Sequence, residues 1–268
     1  MAASLVAVLA ATVGLLVGSF ANVAIHRWPL GRSVNDPPRS HCPSCDAEIA
    51  PRDNIPVVSW LVLRGRCRQC NAPISARYPL VEALVGVLFG LVAAVHSDTW
   101  ALPAFLALTW VLVVGSFIDA EHRILPNRMT LRAPLILLPL LFAAAGIEDA
   151  WPDLLRGLVF ALGIPAAMLA VSELFRLIRG QSGIGMGDIK LAISLGLVLG
   201  WLGGAEVVAF LYASLIAAVV VALGLVLTGR AKLASRIPFG PYLALGTLAV
   251  LLSGEAAGDL VDGLFGLR

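Results

Sequence analysis

Long apolar runs recur at about 2–25, 78–96, 101–118, 131–147, 154–178, 189–203, 205–228 and 238–253, and they leave this chain few folds to adopt. A helix needs roughly 20 apolar residues to cross the hydrocarbon core of a bilayer, with about 17 as the lower end. The runs therefore predict an all-α polytopic membrane protein with about eight transmembrane helices. The 268 residues are 59% hydrophobic and only 13% charged, with a mean hydropathy of +0.90. A soluble domain carries about 25% charge. The sixth and eighth runs are short, and Gly203-Gly204 is the only break between the sixth and seventh. No charge precedes His26, so the basic segment that opens a cleaved signal is missing. Residues 1–25 are expected to stay as an uncleaved first span.

Charge sets the expected orientation. The chain has 19 Lys and Arg. If loops alternate sides, one side receives 26–77, 119–132, 176–190 and 229–237, which hold 8, 3, 3 and 3 of them. The other side keeps Arg156 and Arg268. Basic loops stay in the cytosol, so the first group is expected there and both termini outside. Three parts result: a first transmembrane helix at 1–25, a small cytosolic insert at 26–77, and a transmembrane core of about seven helices at 78–268.

The insert is polar, rich in Pro and Arg, and holds all 4 cysteines. They are spaced as Cys42-Pro43-Ser44-Cys45, then 21 residues, then Cys67-Arg68-Gln69-Cys70. Each CxxC places two thiolates on one tight turn, and two such knuckles suit tetrahedral zinc. The gap is slightly longer than the usual window of about 15–20 residues. Two disulfides are the competing reading, which a cytosolic loop disfavours. Four thiolates leave no open coordination position, so Cys42, Cys45, Cys67 and Cys70 are expected to hold a structural zinc ion. His41 reads as a neighbour of the site and not as a ligand.

Two aspartates sit where apolar runs meet the basic side. Asp119 ends a run of aliphatics and is followed by Glu121, His122, Arg123 and the helix-stopping Pro126. Asp188 follows Gly183-Ile184-Gly185-Met186-Gly187 and opens the sixth run. A carboxylate at membrane depth is costly and marks a functional site by default. Glycines before Asp188 free the backbone for turns that other residues resist. A plain solvated helix end and a capping aspartate are the bland alternatives. Two carboxylates sharing a site split their proton affinities, so one can take a proton from water while the other polarises a carbonyl. None of the 4 histidines forms an HExxH pair, and no βαβ unit surrounds the glycines.

Other polar or small residues fall within the spans. Glu82 lies about five residues inside the second run, where it reads either as an ion-pair partner of Arg77 or as part of a site. Asn22 is expected to bond between helices, and Gly14 with Gly18 to form a close packing face. Lys190 could bias Asp188 or face lipid headgroups.

The chain resembles the type IV prepilin peptidase family. The resemblance starts with Gly18-Ser19-Phe20-Ala21-Asn22-Val23 and Arg27-Trp28-Pro29, and continues through both CxxC pairs. It takes in Ile55-Pro56, Ser59-Trp60-Leu61, Leu63-Arg64-Gly65-Arg66 and Ile74 to Glu82, and returns at Pro238-Phe239-Gly240-Pro241. Gly185-Met186-Gly187-Asp188 is similar to the motif of the GxGD intramembrane aspartyl proteases, and Asp119 matches the family's first catalytic aspartate. The resemblance implies an aspartic endopeptidase of the bacterial inner membrane with Asp119 and Asp188 as catalytic residues. Its substrates would be prepilins and pseudopilins, cut after a glycine at the cytosolic face. It also implies methylation of the new N-terminus with S-adenosylmethionine as donor, contact with membrane lipid, and no nucleic-acid partner. Two other classes compete with this reading. A proton-coupled transporter would use the Asp pair as a relay, although no repeat is visible and both aspartates lie near one face. A zinc-organised assembly factor without chemistry would tolerate loss of both.

Overall fold

The computed structural model describes residues 2–36, 39–181, 183–229 and 239–265. The described residues are helical apart from turns, one 3₁₀ turn and two isolated β-bridges. The chain divides into two compact units, Met1–Ser97 and Asp98–Arg268.

The first unit is a helical hairpin with a folded loop. Its long arms are α1 (Ala2–Arg27) and α3 (Arg77–Val95), which pack along each other. Small residues let the backbones meet: a Cβ on Gly18 would lie 2.8 Å from the Glu82 Cα. Asn22 Nδ2 donates to the Tyr78 carbonyl at 3.1 Å, the interhelical bond expected of a polar residue in a span. The intervening loop carries a 3₁₀ turn (Pro51–Asp53) and a short helix, α2 (Val58–Val62).

The second unit contains α4 (Leu102–His122), α5 (Asn127–Thr130), α6 (Ala133–Glu148), α7 (Trp151–Arg179), α8 (Met186–Leu202), α9 (Gly204–Leu227), α10 (Gly240–Ser253) and α11 (Ala256–Phe265). Helix α8 is the hub and packs against α4, α5, α6, α7, α9 and α10. Its closest neighbour is α7, which Gly196 admits: a Cβ there would fall against the Phe160 carbonyl oxygen. Arg156 of α7 donates to the carbonyls of Gly200 and Trp201, both at 2.7 Å, and so caps the end of α8. That cap accounts for a basic residue on the side that holds few of them, because the last carbonyls of a helix lack intrahelical partners.

Each predicted apolar run holds a helix, but the count of eight spans does not carry through. Among the described residues, six helices are long and apolar enough to cross a membrane, or seven if a bent pair counts as one span. That pair is α10 and α11, which meet at 100°. Gly254, at φ 58°, lies between them. Helix α10 has 14 residues, or ~21 Å, which is short of the ~30 Å core. Helix α8, with 17 residues, sits at the lower limit of length. Conversely, the 29 residues of α7 make ~43 Å, more than a core requires. Pro238 and the basic residues Arg230, Lys232, Arg236 and Arg268 lie outside the described residues.

Candidate active site and metal centre

Asp119 is the last buried residue of α4. The helix ends three residues later at His122, and the next residue, Arg123, takes a left-handed backbone (φ 55°) that returns its N–H to the Asp119 carbonyl at 2.8 Å. Glu121, His122 and Arg123 are exposed, as a solvated helix end predicts. The Asp119 side chain turns inward. Its Oδ2 accepts the Gly240 N–H at 3.0 Å across 121 positions of sequence. A Cβ on Gly240 would stand 2.8 Å from that oxygen, so only glycine brings this amide so close.

Asp188 lies in the first turn of α8, with Gly185 at the N-cap. The unpaired N–H groups of a first turn favour negative charge there. The glycine pattern has a steric reason. A Cβ on Gly187 would lie 2.9 Å from the Leu125 Cβ, so this glycine lets the turn after α4 press on the start of α8. A Cβ on Gly185 would meet Asp188 Oδ2 at 2.9 Å. Ser172 of α7 holds the preceding loop from the other side: its hydroxyl lies 3.3 Å from the Ile184 carbonyl and 3.4 Å from the Ile184 nitrogen. Lys190 donates to Asn127 Oδ1 at 2.8 Å, which ties α8 to α5 instead of leaving the ammonium to lipid.

The two carboxylates share one neighbourhood, near enough for their charges to act on each other. One is buried and bonded to a backbone amide, while the other is half-buried at a helix start. A pair of this kind can bind a water, accept its proton on one side and polarise a carbonyl on the other. Sequence reasoning did not reach the Gly240 amide, the Ser172 clip or the Lys190–Asn127 bond. The Gly240-Pro241 pair was visible as a motif, but which group it faces depends on tertiary packing.

Glu82, in the first unit, is buried at the second turn of α3 and accepts the Val57 N–H at 2.7 Å.

The four cysteines also lie in the first unit, and their sulfurs are all within 4.8 Å of one another. All four are free thiols. The two knuckles are copies of each other. The Cys42 N–H donates to the Ala47 carbonyl, and the Asp46 N–H to the Cys42 carbonyl. The Cys67 N–H donates to the Ala72 carbonyl, and the Asn71 N–H to the Cys67 carbonyl. Asp46 and Asn71 take φ of 56° and 57°, a region Asp and Asn tolerate better than other side chains. The repeat Cys-x-x-Cys-Asp/Asn-Ala is legible in the sequence and went unread. A two-toothed Arg68–Asp53 pair, at 2.8 and 2.6 Å, fastens the second knuckle to the 3₁₀ turn.

This geometry fits a metal. A tetrahedron with Zn–S bonds of about 2.3 Å has edges of about 3.8 Å. Cys42 Sγ and Cys70 Sγ are 3.8 Å apart. Backbone N–H groups of Ser44 and Cys45 pull the Cys42 thiol down to about 6. For Cys45 the Ala47 N–H acts downward, but the adjoining thiols and burial prevail and push it up to about 12. Four sulfurs so close cannot all ionise unaided, and a dication removes the conflict.

Comparison with known proteins identifies the family. Residues 12–96 match the bacterial peptidase A24 N-terminal domain, and residues 106–223 match the type IV leader peptidase family. A prepilin leader peptidase/N-methyltransferase of Aeromonas hydrophila is 40% identical over 265 residues, covering 90% of this chain and 89% of its own. Proteins of the same name from Stutzerimonas stutzeri and Pseudomonas aeruginosa are each 39% identical, covering 92% and 90% of this chain and 90% and 88% of their own. No solved structure matches the chain. A family match in each unit and relatives alike over nine-tenths of the chain lead to one conclusion: the chain belongs to the type IV leader peptidase family.

Proposed function

We propose that this chain is a membrane aspartic endopeptidase that removes the short basic leader from type IV prepilins and pseudopilins after a glycine, and then methylates the new N-terminus. Family membership supports the reaction. The single observation that supports the site is the pairing of Asp119 with the Gly185-Met186-Gly187-Asp188 turn.

Asp119 and Asp188 are the proposed catalytic pair. One carboxylate takes a proton from a bound water, whose oxygen attacks the carbonyl carbon of the glycine. The other hydrogen-bonds the carbonyl oxygen and protonates it as the tetrahedral intermediate forms. That intermediate collapses with cleavage of the C–N bond, and the leaving nitrogen takes up a proton to depart as a free amine. Gly240 keeps the Asp119 carboxylate oriented through its N–H. Gly187 and Ser172 hold the loop that aims Asp188. The second activity uses S-adenosylmethionine, which supplies an electrophilic methyl group to the freed amine.

Cys42, Cys45, Cys67 and Cys70 are the proposed ligands of a zinc ion, which would close the loop as a structural crosslink. Its four sulfurs leave no site for substrate. The apolar helices and the bacterial relatives support a multi-pass protein of the bacterial inner membrane, and the charge pattern supports this loop and the aspartates on its cytosolic side.

The test is to incubate purified protein in lipid nanodiscs with a prepilin from the same cell and weigh the products. Leader loss, followed by one added methyl that depends on S-adenosylmethionine, is the expected result. An intact prepilin with folded, zinc-loaded protein would contradict the assignment.

A further inference from the structure

Glu82 is a buried carboxylate that the peptidase chemistry does not use. A carboxylate at membrane depth persists only where something holds it. Its Oε2 accepts the Val57 N–H at 2.7 Å, and the Ser19 hydroxyl also donates to it. Val57 pays for that bond with a strained backbone, φ 61° and ψ −49°, which a β-branched residue rarely adopts. Strain of this kind survives only where the surroundings impose it, and it points to a function.

The bond fixes the level of this segment. Helix α3 has 19 residues, or ~28 Å at about 1.5 Å each, which barely spans the ~30 Å hydrocarbon core. No turn of α3 is spare, so its second turn, with Glu82, lies inside the core. Val57 and α2 are thereby held at the edge of the hydrocarbon. Ile55, Val58, Leu61 and Val62 are 50%, 51%, 61% and 70% exposed. Arg52, Arg64 and Arg66 flank them and are exposed as well. Trp60 points the other way, donating its indole N–H to the Ile74 carbonyl at 3.0 Å. Trp60 thus packs into the loop, where a Cβ on Gly65 would lie 2.9 Å from its ring, and the four aliphatic side chains are left exposed.

We infer that residues 55–63 form a lipid-seated wedge, with Ile55, Val58, Leu61 and Val62 in the headgroup–acyl boundary of the bilayer and Glu82 as its anchor. The occupant of this apolar face is phospholipid. A short apolar helix flanked by arginines suits that boundary, because the guanidinium groups reach phosphates while the aliphatic groups leave water. Through this wedge the cysteine loop is docked on the membrane surface. The inference requires that α1 and α3 span the membrane, and it stands apart from the roles of Asp119 and Asp188.

The experiment places a photoreactive benzoylphenylalanine at position 61 or 62 of the full, zinc-loaded chain in nanodiscs of phosphatidylethanolamine and phosphatidylglycerol. The same group at Leu215 of α9 serves as a lipid-facing reference, and at exposed Asp36 as a background. Illumination is expected to give phospholipid adducts at 61 and 62 comparable to those at 215 and several-fold above those at 36. Glu82→Gln is expected to reduce the adducts at 61 several-fold with zinc content unchanged, and Ser19→Ala is the second variant should Glu82→Gln fold poorly. Lipid adducts at 215 without any at 61 and 62, or crosslinks from 61 and 62 to protein instead, would overturn the wedge. Adducts unchanged in both variants would remove Glu82 as its anchor.

Discussion

At Asp119 the decisive neighbour is a backbone amide. The Gly240 N–H reaches one carboxylate oxygen from another helix, and the missing side chain makes that approach possible. Gly240→Ala would set a methyl group 2.8 Å from Oδ2 and push the carboxylate out of place. A misplacement of about 1 Å at a catalytic group can lower turnover on the order of 100-fold. Steady-state assays of Gly240→Ala should show that loss in kcat with KM little altered. An unchanged kcat would mean that the amide does not position Asp119. At this scale the sequence was partly legible. Asp188 announces itself through glycines that no amphipathic helix needs, and Gly187 does admit Leu125. Asp119 stands out as a carboxylate at the end of an aliphatic run. Gly240 stood out only as part of a motif, and Ser172 and Asn127 not at all, because a small or polar residue carries no sign of the partner that packing will bring to it.

The elements show which local patterns survive folding. The CxxC pairs were readable because four sulfurs at that spacing have few other uses, and the two knuckles converge as expected. The membrane count was less readable. Apolar runs locate helices, but a run does not reveal where a helix bends, and the chain turns by 100° near Gly254 to leave α11 across the end of α10. Glu82 was likewise visible as an intramembrane acid, while its bond to the Val57 amide depends on how the loop folds back. The cysteine loop carries its own pH prediction. Backbone N–H groups hold Cys42 at about 6, below the ordinary 9.0, so the metal-free loop carries that thiolate at pH 7 and loses it as the pH falls through about 6. Zinc binding displaces the protons of thiols that are not yet ionised. Calorimetry in buffers of different ionisation enthalpy should therefore find fewer than four protons released at pH 7, and about one more below pH 6. The same number at both pH values would refute the Cys42 assignment.

Over the whole molecule, the charge pattern supports the proposed orientation. Loops 26–77, 119–132 and 176–190 hold 14 of the 19 Lys and Arg. Of the two basic residues on the opposite side, Arg156 and Arg268, the first is engaged in capping α8. Alkaline phosphatase, which is active only outside the cytosol, should be active when fused after Ser97 and inactive when fused after Arg179. The reverse pattern would invert the proposed topology and place the aspartates on the wrong face for a cytosolic leader.

The central claim is that Asp119 and Asp188 together perform the cleavage, and it is tested most directly by removing each charge without changing shape. Wild type, Asp119→Asn and Asp188→Asn would be incubated in nanodiscs with a prepilin, with leader loss followed by mass spectrometry and folding checked by helix content and zinc retention. The pair predicts rapid leader loss in the wild type and a fall of at least 10²–10⁴-fold in each folded variant, the range that a positioned proton-transfer group supplies. Cleavage at near wild-type rate in either variant would contradict the account.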